Sequence, residues 1–184
     1  MTIKVLKTEF QQRLEDGNGI VALYGTLRTG ERNARVIDSL AHDGLLYRDP
    51  EQRPAIITKV CVSILPGDLP GLYTCEQLDS TVMVELVACT DAGYRELCRF
   101  EGAPRWYRPQ QAMAHIGGAV QRADADLTFT DWHGVTAFYG PTGEGVDVMV
   151  EVPAPYEPYD YTKRHVANYG QVRGSLHGGT IVCD

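Results

Sequence analysis

The stretch GIVALYGTLRTGERNARVI, from Gly19 to Ile37, places an apolar run directly before a glycine-rich turn. Ile20 to Tyr24 has the length and composition of a buried strand. Behind it, Gly25 and Gly30 enclose four residues, as two glycines do in the loop that binds phosphates in nucleotide-binding proteins. The stretch therefore predicts a strand followed by a turn that holds an anion, and the residues after Gly30 decide which anion.

A phosphate-binding loop continues with lysine and then serine or threonine. This chain continues with Glu31 and Arg32. A carboxylate in the position of the lysine would repel phosphates, so the sequence argues against a nucleotide site. A glycine after a strand still allows neighbouring backbone N–H groups to converge on one smaller anion, such as a carboxylate. The alternative is that Gly25 only permits a tight turn.

Composition limits the class of protein. The chain has 184 residues, 43% of them hydrophobic and 22% charged, which is the balance of one globular domain. Its formal net charge is -7, and no run of lysine and arginine is longer than a pair. These features argue against nucleic acid or an anionic membrane as a partner and favour a small molecule or a protein.

The cysteine pattern and the first residues indicate the cellular compartment of the protein. Cys61, Cys75, Cys89, Cys98 and Cys183 form an odd set without a C-x-x-C pair, which is typical of reduced thiols. The first residues, MTIKVLKTEFQQ, lack the apolar core of a signal peptide, and every apolar run is shorter than the roughly 20 residues that span a membrane. We expect a cytoplasmic protein without a membrane segment.

Hydrophobic periodicity predicts alternating short elements in a single domain, 1–184. An N-terminal helix is expected over 1–17, a core over 19–152, and a tyrosine-rich C-terminal arm over 153–184 with a short helix near 161–168. Within the core, the pattern predicts a helix around Val36 to Leu40, one strand from Ile56 to Leu65, a double turn in PGDLPGLY, a strand from Thr81 to Cys89, a Gly117-Gly118 hairpin turn, and later strands in VTAFYG and VDVMVEV.

A second informative stretch is DAGYRELCRFEGAPRWYRP. On a helix capped by Asp91 and stopped by Gly102, the residues Tyr94, Leu97, Cys98 and Glu101 share one face that is otherwise apolar. Glu101 thus points toward the core, at the negative end of the helix dipole. Burial and the dipole both disfavour its charged form and raise its pKa toward the range of a general base. The alternative is a carboxylate that Arg105 or Tyr107 satisfies without a catalytic duty.

Together the two stretches resemble a known family. YGTLRTGERN followed by RFEGAPRWYRP is similar to the gamma-glutamylcyclotransferase-like (AIG2-like) family, whose members carry a Y-G-[ST]-L turn after the first strand and E-G-x-P-x-x-Y-x-R downstream. The form Y-G-T-L-R-x-G-x-x-N looks most like the gamma-glutamylamine cyclotransferase branch. PGDLPGLY and VTAFYG also resemble segments of the family, and the resemblance covers Ile20 to Gly140.

The resemblance implies an α+β fold: a small mixed β-barrel flanked by short helices, with a cavity at one barrel end. It implies that the turn formed by Tyr24, Gly25, Thr26 and Leu27 binds the α-carboxylate of a γ-glutamyl compound, that Glu101 is the general acid/base, and that Tyr107 helps to close the pocket. The reaction would release 5-oxoproline and a free amine. The α-amine of the substrate is the nucleophile, so the protein need not supply a serine or cysteine, and we expect no cofactor and no metal.

Several points stay open at this level. Arg28 either reaches a substrate carboxylate or is solvated. The family often has L-D-x-x-E-G, and here Cys98 replaces the aspartate. The arm over 153–184 is a candidate for dimerisation or for shaping the pocket of the leaving amine, and the sequence does not choose among amino acid, polyamine, lysine side chain or glutathione as that amine.

Two alternatives to a cyclotransferase remain. One is a binding module without catalysis on the same barrel. The other is a lyase or hydrolase that uses Cys98 as a nucleophile. A group of possible metal ligands, Asp124, Asp126, Asp131 and His133, lacks the glycine and glutamate spacing of a calcium loop, so we expect a solvated loop there and no metal site.

Overall fold

The structure is a computed structural model that describes residues 7–53, 55–65, 69–74, 81–117, 129–141, 146–153, 169–177 and 180–183. Three helices and eleven strands lie in these ranges. In chain order they are α1 Glu9–Asp16, β1 Ile20–Leu23, α2 Ala34–His42, β2 Leu46–Arg48, β3 Ala55–Thr58, β4 Val60–Leu65, β5 Leu69–Thr74, β6 Thr81–Cys89, α3 Asp91–Phe100, β7 Arg108–Gly117, β8 Phe129–Tyr139, β9 Val146–Pro153, β10 Tyr169–His177 and β11 Thr180–Cys183.

Five strands, among them the predicted first strand β1, form a closed barrel. β1 pairs in antiparallel fashion with β6 and in parallel with β8, and the order continues from β8 through β7 and β3 back to β6. β2 extends the sheet along the same edge of β6 as β3. All four residues of β1 are buried, because one face of the strand looks into the barrel and the other lies under the helices. The predicted mixed barrel flanked by short helices is confirmed.

A second closed barrel follows the order β10-β11-β5-β4-β9. It explains two predictions that were wrong, one of a strand and one of a turn. The predicted strand from Ile56 to Leu65 is two strands, because Lys59 between them adopts a left-handed backbone with φ 59° and redirects the chain from one barrel to the other. PGDLPGLY is not a double turn over its last residues, since Leu69–Thr74 is strand β5 and pairs with β4.

Gly71 marks a close approach of two backbones inside β5. A Cβ atom built on it would lie 2.5 Å from the carbonyl oxygen of Gly140. The glycine in PGDLPGLY therefore signals crowding in a strand rather than a turn. Leu72 and Tyr73, which follow it, are fully buried.

The C-terminal segment contains strands that the sequence pattern did not predict. β10 pairs with β9 over Tyr169 to Leu176, and β11 pairs with β10. The short helix expected near 161–168 lies outside the described residues. Of the predicted Gly117-Gly118 turn, Gly117 is the last residue of β7 and Gly118 lies outside the described residues. No helix in the described ranges is long and apolar enough to cross a bilayer.

Helix α3 carries the predicted site glutamate, and its N-terminus differs from the prediction by one residue. Thr90, not Asp91, is the N-cap: its hydroxyl accepts a hydrogen bond from the N–H of Gly93 at 3.1 Å. The same hydroxyl donates to the carbonyl of Leu45 at 3.1 Å. Threonine fits this position because its side chain satisfies one of the free helix N–H groups while its backbone stays extended.

Replacement of the cap tests this assignment. Thr90→Ala should lower the free energy of unfolding by about 1 kcal/mol, the usual cost of losing such a cap. Thr90→Ser keeps the hydroxyl and should stay near the wild-type value. Urea unfolding of the two variants measures the difference, and equal stability of Thr90→Ala and wild type would contradict the assignment.

Candidate active site

The site begins with Tyr24, the first residue after β1. Its ring is buried, its hydroxyl donates to the carbonyl of Phe138 at 2.7 Å, and the N–H of Leu72 donates to it at 3.3 Å. Burial, with smaller contributions from Tyr107 and Glu101, raises the pKa of Tyr24 well above its usual value. Tyr24 is therefore a neutral anchor that fixes the exit of β1 between the strands β8 and β5.

The loop after Tyr24 is closed by Asn33, and we call residues 25–33 the substrate loop. The backbone N–H of Asn33 donates to the carbonyl of Thr26 at 2.9 Å, and its side-chain amide donates to the Thr26 hydroxyl at 2.9 Å. Within the described part of the chain, the N–H groups of Gly25, Thr26 and Leu27 donate to no protein acceptor. Three free donors in a row are the chemistry that binds a carboxylate.

Gly25 has a different reason to be glycine from the one predicted. It does not adopt a left-handed backbone. A Cβ atom built on it would lie 2.9 Å from Cγ of Pro70, closer than real contacts allow. The glycine lets Pro70 of β5 pack against the substrate loop, so the loop is positioned by a strand of the second barrel.

The far end of the substrate loop is held by a polar cluster. The carboxylate of Glu85 on β6 accepts from the Thr29 N–H at 2.7 Å and from its hydroxyl at 3.0 Å. Arg48 on β2 pairs with Glu85, donates to the Thr29 hydroxyl at 2.8 Å and pairs with Asp38 of α2 at 2.7 Å. These charge-assisted bonds tie the loop to three elements and restrict its movement.

Glu101 is the C-cap of α3, one residue past the last helical residue, and we call residues 101–107 the Glu101 turn. A tight turn follows it: Gly102 adopts φ +64°, and the N–H of Trp106 donates to the carbonyl of Gly102 at 3.1 Å. The predicted helix stop at Gly102 is confirmed, and its left-handed backbone explains why glycine stands there. The turn brings Trp106 and Tyr107 to the same side as Glu101.

The electrostatic state of Glu101 is unusual for a glutamate. Burial raises its pKa from 4.5 to about 7. From the sequence we expected both burial and the helix dipole to raise this pKa. In the structure burial accounts for the rise. Among the described residues, Glu101 forms no ion pair, and the pairing with Arg105 or Tyr107 considered from the sequence is not formed. A carboxyl group with this pKa takes up and releases protons near neutrality.

Tyr107 stands beside this carboxyl group. Its hydroxyl donates to the carbonyl of Pro70 at 2.8 Å. Burial, together with the nearby Glu101, raises the pKa of Tyr107 to about 12, while the charge of Arg32 acts in the opposite direction. The ring of Pro70 thus contacts the substrate loop, and its carbonyl accepts a hydrogen bond from Tyr107 of the Glu101 turn. Pro70 therefore lies between the loop and the turn.

The substrate loop and the Glu101 turn face each other across one cavity of about 310 Å³. Its lining consists of Ala22, Leu23, Tyr24, Gly25, Thr26, Leu27, Arg32, Asn33, Pro70, Phe100, Glu101, Gly102, Trp106, Tyr107 and Phe138. Most of this wall is apolar, with a few polar groups that converge, which is the usual make-up of a small-molecule site.

The cavity contains all the sequence-predicted site residues except Arg28, which is not part of its wall. Cys98 does not line it either. Arg32 and Asn33 were missed as site residues although both follow the Y-G-T-L turn, and Asn33 was visible as the last residue of Y-G-T-L-R-x-G-x-x-N. Pro70 and Phe138 come from distant strands. They lie in PGDLPGLY and VTAFYG, which resemble segments of the family, but the sequence did not place either residue in the site.

A closed mixed barrel flanked by short helices is the γ-glutamyl cyclotransferase-like fold. The family model described as gamma-glutamyl cyclotransferase, AIG2-like, matches residues 21–131, and the chain belongs to this family. No curated protein matches the sequence.

Solved structures agree on the fold. The chain is similar to the crystal structure of an AIG2-like protein from Mus musculus, with 20% identity, a TM-score of 0.53, and coverage of 83% of this chain and 95% of that one. It is also similar to the solution structure of A2LD1, with 20% identity, a TM-score of 0.52, and coverage of 82% and 95%.

Proposed function

We propose that the protein is an intramolecular cyclotransferase that cleaves a γ-glutamyl amide to 5-oxoproline and a free amine. One observation supports this most directly: Glu101, with a pKa of about 7 and no ionic partner among the described residues, shares a 310 Å³ cavity with the free amides of Gly25, Thr26 and Leu27. A γ-glutamyl group carries a carboxylate and an amine on its α-carbon. The carboxylate needs hydrogen-bond donors, and the amine needs a base that removes its proton.

The chemistry suits this pair of features. The α-nitrogen of the substrate attacks the γ-carbonyl carbon, a new C–N bond closes the five-membered lactam, and the amide C–N bond to the leaving amine breaks. Glu101 takes the proton that the attacking nitrogen loses and gives it to the leaving nitrogen. The substrate supplies its own nucleophile, so positioning provides much of the rate, and an oriented intramolecular attack is worth several kcal/mol.

The placement of Cys98 argues against the thiol mechanism. Its side chain is half-buried beside Tyr94 on α3, and it does not line the cavity that contains Glu101. A reaction at the Cys98 thiol would therefore take place outside the cavity that Glu101 and the free amides line. We therefore assign the acid/base role to Glu101 and no catalytic role to Cys98.

Incubation of the purified protein with γ-glutamyl amines, γ-glutamyl amino acids and glutathione tests the proposal. We expect release of 5-oxoproline and amine in equal amounts from at least one of them, measured by mass spectrometry. Binding without release would indicate the non-catalytic module instead. Neither binding nor release from any compound would contradict the proposal.

The pH dependence follows from the pKa of Glu101. Because burial raises that pKa to about 7, the carboxyl group is protonated and inactive as a base below neutrality. We expect kcat/KM to rise with pH through an apparent pKa near 7, whereas an ordinary glutamate would give an acid limb near 4.5. A rate profile that is flat from pH 5 to pH 8 would contradict the assignment of Glu101 as the base.

A further inference from the structure

Three parts of the cavity wall have no role in handling the γ-glutamyl group. The free amides and Glu101 meet the needs of its carboxylate and amine. Arg32, Phe100 and Trp106 remain, and all three are exposed side chains that line the same cavity. Phe100 and Trp106 are large apolar residues with 46% and 59% of their surface exposed. Exposed aromatic groups beside a cation form a surface suited to a ligand.

Arg32 differs from the four arginines that form ion pairs within the described residues. Arg13, Arg48, Arg53 and Arg99 each form an ion pair. Within the described ranges Arg32 forms none, and it does not pair with Glu101 although both line the cavity. Its charge is nevertheless felt inside the site, since it lowers the pKa of Tyr107. A cation at the rim is thus available to a bound molecule.

The backbone next to Arg32 is fixed relative to the anion-binding amides. Its neighbour Asn33 donates twice to Thr26, through the backbone and through the side chain, at 2.9 Å each. The backbone that carries the Arg32 side chain is therefore held in place at the end of the substrate loop. Only the side chain has to move to meet different ligands.

We propose, on the basis of the cyclotransferase function above, that Arg32 selects substrates whose leaving amine carries a carboxylate. The site then recognises two carboxylates: the amides of the substrate loop bind the one on the γ-glutamyl group, and Arg32 binds the one on the leaving group. A guanidinium group holds a carboxylate through two parallel hydrogen bonds and repels a second cation. The preferred substrates are γ-glutamyl α-amino acids with an apolar or aromatic side chain, which Phe100 and Trp106 contact, and polyamine conjugates are disfavoured.

A matched pair of substrates tests the proposal. γ-Glutamyl-phenylalanine and γ-glutamyl-phenethylamine differ only in the carboxylate of the leaving group. For the wild type we expect kcat/KM to favour the phenylalanine compound about 10-fold, the scale of one charge-assisted pair at an exposed site. Arg32→Gln should remove that preference by slowing the phenylalanine compound alone, and Arg32→Lys should retain part of it. Arg35→Gln, an exposed arginine on α2 that does not line the cavity, is the control and should change neither rate.

Two kinetic results would overturn the proposal. An equal loss on both compounds in Arg32→Gln would place Arg32 on the γ-glutamyl group that they share, and no loss on either would leave Arg32 without a role. If the wild type releases 5-oxoproline from no compound, the proposed function fails, but the role of Arg32 in binding can still be tested. Calorimetric titration of both compounds into wild type and into Arg32→Gln gives the Kd of each compound, and the ratio of the two Kd values measures the selectivity. A ratio unaffected by the substitution would also refute it.

Discussion

Glu101→Gln is expected to lower kcat for 5-oxoproline release by about 10²- to 10⁴-fold, the range that one positioned proton shuttle contributes. Glutamine has nearly the same size and remains polar, but it cannot take a proton from the attacking nitrogen. KM should change little, because the free amides of the substrate loop still bind the carboxylate of the substrate. Steady-state kinetics with the best substrate of the panel measures both values.

The fold should survive this change. The pKa of Glu101 is raised in the folded state, so its contribution to stability is present below its unfolded pKa of about 4.5 and is lost as pH rises through 7. Glu101→Gln removes this loss, and the variant should be at least as stable as wild type at pH 8. Glu96→Gln is the matched control, because Glu96 lies on the same helix, pairs with Arg99 and does not line the cavity. Activity of Glu101→Gln within a few-fold of the control would refute the catalytic role.

Gly25→Ala is expected to reduce kcat/KM about 10- to 100-fold, since misplacement of binding groups by a fraction of an ångström to 1 Å has costs of that order. The added methyl group would lie 2.9 Å from Cγ of Pro70. A proline ring on a paired strand yields little, so the substrate loop has to shift away and its three free amides move with it. The effect should fall mainly on KM, because these amides bind the carboxylate in the ground state as well as in the transition state.

Gly134→Ala on β8 is the control for this change. A Cβ atom there meets nothing within 4 Å, and the residue is exposed. Its kinetics should match those of wild type. If Gly25→Ala behaves like Gly134→Ala, the amides of the substrate loop do not position the substrate, and the carboxylate binds elsewhere in the cavity.

The sequence predicted the parts of the site that depend on local order. The orientation of Glu101 follows from a 3.6-residue period on α3 and a glycine stop, and the position of the substrate loop follows from a strand that ends before a glycine; both are set by neighbours along the chain. The close contact with Pro70 that requires glycine at position 25 was not predictable from these neighbours. Burial of Glu101 was also predictable, because it continues the face of Leu97 and Tyr94. The residue that caps α3 was missed by one position, which is the usual error at an element boundary.

The parts that depend on distant pairing were not predictable. Pro70, which separates the substrate loop from the Glu101 turn, lies in a strand that its prolines and glycines made look like a turn. Lys59 carries no sequence signal for the left-handed backbone that splits the predicted long strand. The polar cluster of Glu85, Arg48 and Thr29 joins three elements that are adjacent only in the folded barrel. In each case a long-range contact outweighs the local preference.

The most direct test of the account is a crystal structure of Glu101→Gln with an uncleaved γ-glutamyl amide. The account predicts that the α-carboxylate of the ligand accepts hydrogen bonds from the amides of Gly25 to Leu27 and that its α-nitrogen lies within hydrogen-bonding distance of the residue 101 side chain. A ligand that occupies the cavity with its α-nitrogen turned away from residue 101, or with its α-carboxylate off the loop, would contradict the claim that one γ-glutamyl group joins the two.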